Sequence, residues 1–514
     1  MKFSTIPGRL LKLVLLVMTA ALFLPGCKKD FLDRQPQGNY TADNYPYPGG
    51  SGPYDTYLFG AYSSLRDFGV HSQAFLCITS IRSDDADKGS TPSDGGADAL
   101  GMDNFPVLTT SGMTNTFWVA YYNLINKCNI ALDQIYHNKD IAATPEAKLQ
   151  AEGEAKLIRG YAYFMLVRSF GSVPLIDSLF SDPAAQSNVP QSSAATVYSF
   201  IEKDLQFAAS NLPLSWDPKF AGRATKGAAN GLLAKVYLTE KKWALAMNTA
   251  ALVINSGQYD LSTSYDKIFR EEGENSKESV FEVQATASAT NPTSYGVQYA
   301  QVQGIRGSGS WDLGWGWNTP STYLDAAYES NDPRRARTIL YTSTGTTTYT
   351  TIYGESIPFG LPNPRYNNKV YSNPATRASV GNRFGYWMNV RILRYADVLL
   401  MYAEAANEIG NTAEALAKLE MVRARARQGA PTGTLPTVTT TDPVQLRDAI
   451  RRERRVELGM EHDRFFDLVR WGVAAATLQA AGKTNFNDNR DNLLPIPQTQ
   501  IDISKGVLKQ NPGY

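Results

Sequence analysis

The sequence predicts a mainly α-helical protein: a scaffold of tetratricopeptide-like helix pairs joined to an irregular, loop-rich lobe that carries short strands. Three observations predict this fold. Apolar residues recur every three or four positions over long segments, which is typical of packed helices. Twice, a helical segment is followed after a tight turn by a second helix of similar length, as in helical repeats. Residues 273–389 are instead rich in Gly, Ser, Thr, Asn, Pro and aromatic residues.

Periodicity and end signals locate the scaffold helices. The helix predicted at 145–170 carries an apolar stripe and ends at Gly171, and the last predicted helix begins with Asp442 as N-cap followed by proline. Helix pairs at 225–255 and 395–428 bury their apolar faces only by stacking, so we expect a helical solenoid. The predicted helices occupy residues 54–68, 116–136, 145–170, 225–240, 243–255, 395–409, 412–428 and 442 to about 459.

The first 53 residues have the composition of an export signal followed by a tether. Residues 1–26 begin with basic residues, continue with an apolar run too short to span a bilayer, and end just before Cys27. This order predicts a lipoprotein signal peptide with lipidation at Cys27; an ordinary secretory signal is the alternative. Residues 27–53 suit a lipid-anchored, extended tether. We expect one domain at 54–514, with a helical scaffold at 54–272 and 390–514 and a variable lobe at 273–389.

Composition argues against several classes of function. The chain has 50 Lys and Arg against 49 Asp and Glu, without a basic block, so we expect no nucleic-acid partner. The three histidines are far apart in sequence and no Cys-x-x-Cys occurs, so we expect no metal site. Phosphate-binding and nucleophile-elbow motifs are absent from the sequence, and we expect no cofactor. Cys77 and Cys128 either pair or stay buried as free thiols.

Aromatic residues crowd a Gly-rich segment of the lobe at 291–318. Sugars present flat faces of C–H bonds, and Trp and Tyr rings offer matching apolar faces with polar tips. The candidate ligand-binding residues are Tyr295, Tyr299, Trp311, Asp312, Trp315, Trp317 and Asn318. The alternative for each ring is that it packs the interior of the lobe. Strand-like runs at 279–284 and 347–353 complete the prediction for this region.

Two glutamates of the helix that begins at Asp442 fall on its apolar stripe. Glu453 and Glu457 therefore face the core, where an isolated charge is very costly, and they require arginine partners. A glycosidase places its two carboxylates on opposite sides of the scissile bond, which groups one helical turn apart do not achieve. We interpret the pair as a structural ion network and expect no catalytic residue. The candidate partners are Arg391, Arg394, Arg452, Arg454, Arg455, Arg464 and Arg470.

Short motifs occur in a fixed order along nearly the whole chain after residue 26. They are Cys27 with FLD at 31–33, AEGEAKLIRGYAYF at 151–164, GSVPL at 171–175, GRATKGAA at 222–229, DPRR at 332–335, RYADVLL at 394–400, AEA at 403–405, ERRVEL at 453–458, DRFFDLVRW at 463–471, PIP at 495–497 and QNPGY at 510–514. In this order they resemble the SusD/RagB-like outer-membrane lipoproteins. The resembling motifs are mostly framework, so they assign no site residue.

The resemblance implies a helical fold with a variable ligand-binding lobe. It also implies a lipid anchor on the outer face of a Gram-negative outer membrane and a SusC-like TonB-dependent transporter as partner. The expected function is therefore a non-enzymatic surface lipoprotein that binds an oligosaccharide or polysaccharide and delivers it to that transporter. Two alternatives stay open at this point: a surface glycoside hydrolase, and a helical-repeat scaffold that binds peptides or proteins without affinity for sugars.

Overall fold

The computed structural model describes residues 50–514, so the predicted signal peptide, Cys27 and most of the tether lie outside the described residues. The helices in chain order are α1 Asp55–Ser64, α2 Phe68–His71, α3 Gln73–Leu76, α4 Gly96–Asn104, α5 Gly112–His137, α6 Pro145–Phe170, α7 Pro183–Gln186, α8 Ala194–Asn211, α9 Lys226–Thr239, α10 Trp243–Ile254, α11 Tyr265–Ile268, α12 Pro292–Tyr295, α13 Tyr299–Gln303, α14 Thr322–Ala327, α15 Pro333–Thr338, α16 Pro374–Val380, α17 Tyr395–Glu408, α18 Thr412–Ala426, α19 Pro443–Glu457, α20 Arg464–Trp471, α21 Ala474–Ala480, α22 Asp488–Asp491 and α23 Gln498–Ile503.

Eight short strands form four two-stranded antiparallel sheets in this part of the chain. They are β1 Ala86–Gly89, β2 Val173–Pro174, β3 Gln191–Ser192, β4 Ser279–Val283, β5 Trp317–Pro320, β6 Ile339–Tyr341, β7 Arg365–Asn367 and β8 Val390–Arg394. The pairs are β1 with β5, β2 with β3, β4 with β8 and β6 with β7. In the first pair, Gly89 lies opposite Trp317, and in the third, Val283 lies opposite Val390. The first of these sheets ties a segment of the lobe to the N-terminal part of the scaffold.

The long helices stack in a continuous order. Helix α5 packs on α1 and α6, α6 on α8, α8 on α9, α9 on α10, α10 on α17, and α17 on α18 and α19. Helix α6 has neighbours on several sides, and nearly all of its residues from Ala151 to Phe170 are buried. The single apolar stripe expected for this helix is therefore wrong: α6 is a central helix and not a surface one. It begins and ends at the predicted residues, 145 and 170; Thr144 is its N-cap, and Gly171 follows it at a positive φ of 72°.

The main scaffold predictions are confirmed, and two local ones are wrong. Asp442 caps α19 by accepting hydrogen bonds from the backbone N–H groups of Val444 and Gln445. The run at 347–353 forms only isolated bridges and no strand. Residues 51–53, assigned to the tether, already belong to the folded body, because Ser51 is fully buried and its hydroxyl donates to Glu154 at 2.5 Å.

One large hydrophobic core runs through the helical stack and into the lobe. Cys77 and Cys128 are both fully buried in it as free thiols, which decides between the two alternatives for these residues. Burial raises the pKa of each thiol, so neither is poised to react. No helix within residues 50–514 combines the length and apolarity needed to cross a membrane.

Candidate functional site

Three aromatic residues with at least partial exposure lie where the lobe meets the N-terminal helices. The ring of Phe68, at the start of α2, lies 6.3 Å from that of Trp315, and the two planes are tilted by 57°. Tyr295, at the end of α12, is 55% exposed, and Phe68 is 39% exposed. Arg66 donates to the carbonyl oxygen of Ser294 at 3.4 Å, which holds the residue before Tyr295 close to the Phe68 turn. We call Phe68, Tyr295 and Trp315 the aromatic patch.

A folded-back loop positions Trp315. After α13 the chain reverses, and the backbone N–H of Trp315 donates to the carbonyl of Gln301 at 2.8 Å. A second bond joins the N–H of Gly316 to the carbonyl of Gly304 at 2.9 Å. A Cβ atom at Gly314 would lie 2.2 Å from the Gln301 carbonyl oxygen, so only glycine permits this close approach. The Gly-rich composition of the segment therefore serves to present Trp315 at a fixed angle.

Three of the seven predicted site residues lie inside the protein. Trp317 is 4% exposed in β5, and the ammonium group of Lys88 lies 5.2 Å from its ring centre. Asn318 is fully buried and donates to Gln303 at 2.8 Å. The hydroxyl of Tyr299 is hydrogen-bonded to the Nε2 atom of His462, and burial raises the pKa of this phenol. These three residues hold the loop on the core and do not face solvent.

The other predicted residues lie at or near the surface. Trp311 is half-buried and packs against a small core of the lobe that contains Tyr366. Next to it, the half-exposed Asp312 pairs with Arg383 at 2.6 Å, and the guanidinium of Arg383 lies 5.1 Å from the ring centre of Phe384. Sugar hydroxyl groups can bond to such a half-exposed carboxylate and guanidinium. The loop thus carries two surface groups, the aromatic patch and the surroundings of Trp311.

Comparisons with known proteins identify the family of this chain. The model of the SusD family matches residues 277–514, and a model described as "Starch-binding associating with outer membrane" matches residues 101–238. The chain belongs to the SusD/RagB family. It is thus a SusD-like, outer-membrane-associated, glycan-binding surface protein.

Individual relatives cover almost the whole length. "SusD-like protein P2" from Formosa agariphila is 29% identical over 88% of this chain and 91% of its own. Among solved structures, a laminarin-binding SusD-like protein is 29% identical, with a TM-score of 0.74 over 90% of this chain and 99% of its own. Surface glycan-binding protein A from Bacteroides fluxus is 26% identical, with a TM-score of 0.74 over 91% of this chain and 100% of its own.

The buried carboxylates of this SusD-like protein are held in ion pairs. Glu457 accepts from Arg334 at 3.0 Å, from Arg394 at 3.1 Å and from Arg425 at 2.6 Å. Burial alone would raise the pKa of Glu457, but these three positive charges outweigh it and lower the pKa to about 2. Glu453 pairs with Arg334 at 2.5 Å and with another arginine at 2.8 Å. Both side chains are fixed, as the predicted ion network requires.

The aspartates at 84 and 85 are held in the same way. Asp84 pairs with Arg464 at 2.8 Å and with Arg455 at 2.7 Å, and Asp85 also pairs with Arg455 at 2.7 Å. A general acid or base must be free to reach the substrate, and these carboxylates are not. Within residues 50–514 no group of three or more His, Cys, Asp or Glu side chains is arranged to hold a metal ion.

Sequence reasoning missed Phe68 and Arg66, which complete the patch from a distant part of the chain. They lie 227 or more positions before Tyr295 and Trp315, with Arg66 in the turn after α1 and Phe68 at the start of α2. A single exposed Phe is common on protein surfaces and gives no signal of function. Only the fold brings it beside Trp315.

Proposed function

We propose that this SusD-like protein binds its glycan across the aromatic patch, with Trp311 and Asp312 as further contacts. The observation that carries the proposal is the placement of Trp315 and Tyr295. Both rings are at least partly open to solvent, and the loop that bears Trp315 is fixed by backbone hydrogen bonds. Fixed rings lose little conformational entropy when a sugar ring stacks on them. The predicted residues Tyr299, Trp317 and Asn318 support the loop from below.

A laminarin-type glucan is the first ligand to test. The relative of known structure that is 29% identical is a laminarin-binding SusD-like protein. A site made of separated rings with few charges suits a neutral chain of pyranose units, because each ring stacks on a sugar face while hydroxyl groups remain in water. The identity of the glycan is part of the proposal and is decided by binding measurements.

We propose further that Cys27 carries the lipid and that the partner is a SusC-like TonB-dependent transporter. Association with the outer membrane is supported by the family model that matches residues 101–238. In this arrangement the helical scaffold docks on the transporter barrel, and the lobe covers the ligand. We expect the two proteins to purify together from outer membranes after mild detergent extraction. A protein recovered only alone, with its transporter expressed at equal level, would contradict the partnership.

Combined alanine substitution of Trp315 and Tyr295 should weaken glycan binding about 10- to 100-fold. Each aromatic contact contributes about 0.5–1.5 kcal/mol, and every 1.4 kcal/mol is a factor of ten in Kd. Isothermal titration with laminarihexaose, or with whichever soluble glycan binds best in a panel, measures the change. Phe180→Ala is the control, because it also truncates an exposed aromatic ring (39% exposed) but one that lies outside the patch.

The proposed glycan site is contradicted if no glycan in the panel binds, or if the double variant binds as tightly as the wild type. The variants must keep the unfolding temperature of the wild type. Trp317→Ala is unsuitable as a binding test, because Trp317 is buried and its truncation removes core packing at a cost of about 3–5 kcal/mol.

A further inference from the structure

A cleft lies between the ends of three scaffold helices, away from the aromatic patch. It has a volume of about 460 Å³ and is lined by the C-terminal end of α8, the N-terminal half of α9, the end of α10 and the loop that follows it. This volume falls in the range of small-molecule sites in proteins. We call it the scaffold cleft; its main lining residues are Leu214, Lys226, Asn230, Leu252, Gln258 and Tyr259.

The most unusual side chain of the scaffold cleft is Asn230. It is only 7% exposed, yet its carboxamide forms no hydrogen bond with any residue of 50–514. Buried amides are almost always bonded. The polar atoms of Asn230 are not sealed from solvent and open onto the cleft. Asn also has a lower helix propensity than the alanines around it. A buried amide that lines a cleft without a partner is poised to bond a molecule inside it.

Other polar groups of the scaffold cleft are also uncommitted. Within the described chain the side chain of Gln258 forms no hydrogen bond, and Lys226 forms no ion pair. A carboxamide presents a donor and an acceptor side by side, and a pair of neighbouring sugar hydroxyls does the same. The residues that line this cleft include no carboxylate.

One aromatic ring is fixed at the wall of the scaffold cleft. Tyr259 is bonded through its hydroxyl to Thr225 at 2.9 Å, and it lies directly on the start of α9. A Cβ at Gly227 would be 2.3 Å from the Tyr259 oxygen, so the glycine makes room for this ring. Leu214 and Leu252, 50% and 59% exposed, form an apolar rim. The cleft continues past Leu214 and Tyr259 into a second cavity of about 240 Å³ that is also lined by Trp216.

We propose that the scaffold cleft is a second saccharide-binding site, which takes a single pyranose unit between Asn230, Gln258 and Tyr259. Donor and acceptor amides beside a fixed ring are the chemistry that recognises a sugar ring. None of the patch residues lines this cleft, so the proposal does not depend on the glycan site of the lobe.

Hydrogen–deuterium exchange, followed by mass spectrometry, tests the proposal on the intact protein. The probes are glucose, galactose, mannose, xylose, N-acetylglucosamine and glucuronate, each titrated alone. At least one should slow exchange in peptides that cover residues 226–230 and 256–259. Asn230→Ala should raise the sugar concentration for half protection about tenfold, which corresponds to the loss of one or two hydrogen bonds. Gln258→Ala, at a half-buried loop position, should have a similar effect.

The control is Asn248→Ala, which removes an exposed amide from α10 outside the cleft and should change nothing. The proposal is overturned if none of the six sugars protects these peptides, or if protection is the same in folded Asn230→Ala and Gln258→Ala. Replacement of Trp315 and Tyr295 by alanine should leave the protection intact. A failure of the aromatic patch to bind glycan is therefore distinguished from a failure of the scaffold cleft.

Discussion

Replacement of Glu457 by alanine is expected to lower the free energy of unfolding by about 3–5 kcal/mol at neutral pH, or to prevent folding altogether. The side chain is fully buried and neutralises Arg334, Arg394 and Arg425 together. Its removal leaves buried guanidinium groups with too little negative charge, and breaking a buried ion pair from one side costs this much. Urea denaturation followed by circular dichroism measures the change.

Two further variants separate charge from general damage to a helix. Glu420→Ala removes an α18 carboxylate from its partly exposed pair with Arg427, the residue after the helix, and should cost less than about 1 kcal/mol. Glu457→Gln keeps the shape of the side chain but loses its charge, so it should be nearly as destabilising as alanine. If Glu457→Ala is no more destabilising than Glu420→Ala, the ion network does not hold the lobe to the scaffold.

The ion network also shows which contacts can be predicted from the sequence and which cannot. The apolar stripe of α19 was enough to predict that Glu453 and Glu457 face the core and need arginines, and Arg394 was among the predicted partners. Arg334 was not, since it comes from a short helix of the lobe about 120 positions earlier. Periodicity predicts which face of a helix is buried, but not which distant element covers it.

The candidate site shows the same contrast between local signals, which sequence contains, and distant contacts, which it does not. Composition predicts a site in the aromatic loop at 291–318, because this segment combines several rings with glycine, and this site stays a prediction. It did not predict that Trp317 would enter β5 and pair with β1, while Trp315, two positions earlier, stays partly exposed. Strand pairing between residues 86–89 and 317–320 is a long-range event without a local signal. The scaffold cleft cannot be predicted from the sequence either, because only the folded structure shows that the side chain of Asn230 has no partner.

Helix ends were predicted best, because their signals are local. A capping Thr or Asp, a following proline and a terminal glycine fix the bounds of α6 and α19 within a few residues. The short strands of two to five residues carry too few side chains for an alternating pattern to be detected. For this reason the residue pattern predicts a strand at 347–353, where none forms, and does not predict β6 and β7.

The stability of the protein should depend on pH through two buried histidines. His462 and His71 flank the ring of Phe75, at 4.8 and 4.9 Å between ring centres. Burial disfavours the charged imidazolium and lowers the pKa of His462 to about 3 and that of His71 to about 4. For His462, the charge of Lys369 acts in the same direction, and that of Asp463 opposes it.

These shifts determine the sign of the effect. In the unfolded chain each histidine has a pKa near 6.5, so below pH 6.5 the unfolded state binds protons that the folded state does not. Stability is therefore lost as the pH falls from 6.5 toward 4, by about 1.4 kcal/mol per pH unit for each histidine. Glu240 and Glu274, whose pKa values burial raises to about 7, act in the opposite direction. The wild-type profile mixes these contributions, and a comparison of variants separates them.

His462→Asn should remove one histidine from this balance. Asparagine tolerates the positive φ of 74° at this position, so the backbone is kept. Between pH 7 and pH 4 the variant should lose about 3 kcal/mol less stability than the wild type. The reason is that its unfolded chain has no histidine at this position to take up a proton over the 2.5 pH units from 6.5 to 4. Urea unfolding at a series of pH values measures this difference. His137→Asn, at a histidine whose side chain is 74% exposed, is the control and should give a curve parallel to the wild type. If the curve of stability against pH for His462→Asn is also parallel to that of the wild type, the buried imidazole is not neutral in the folded protein.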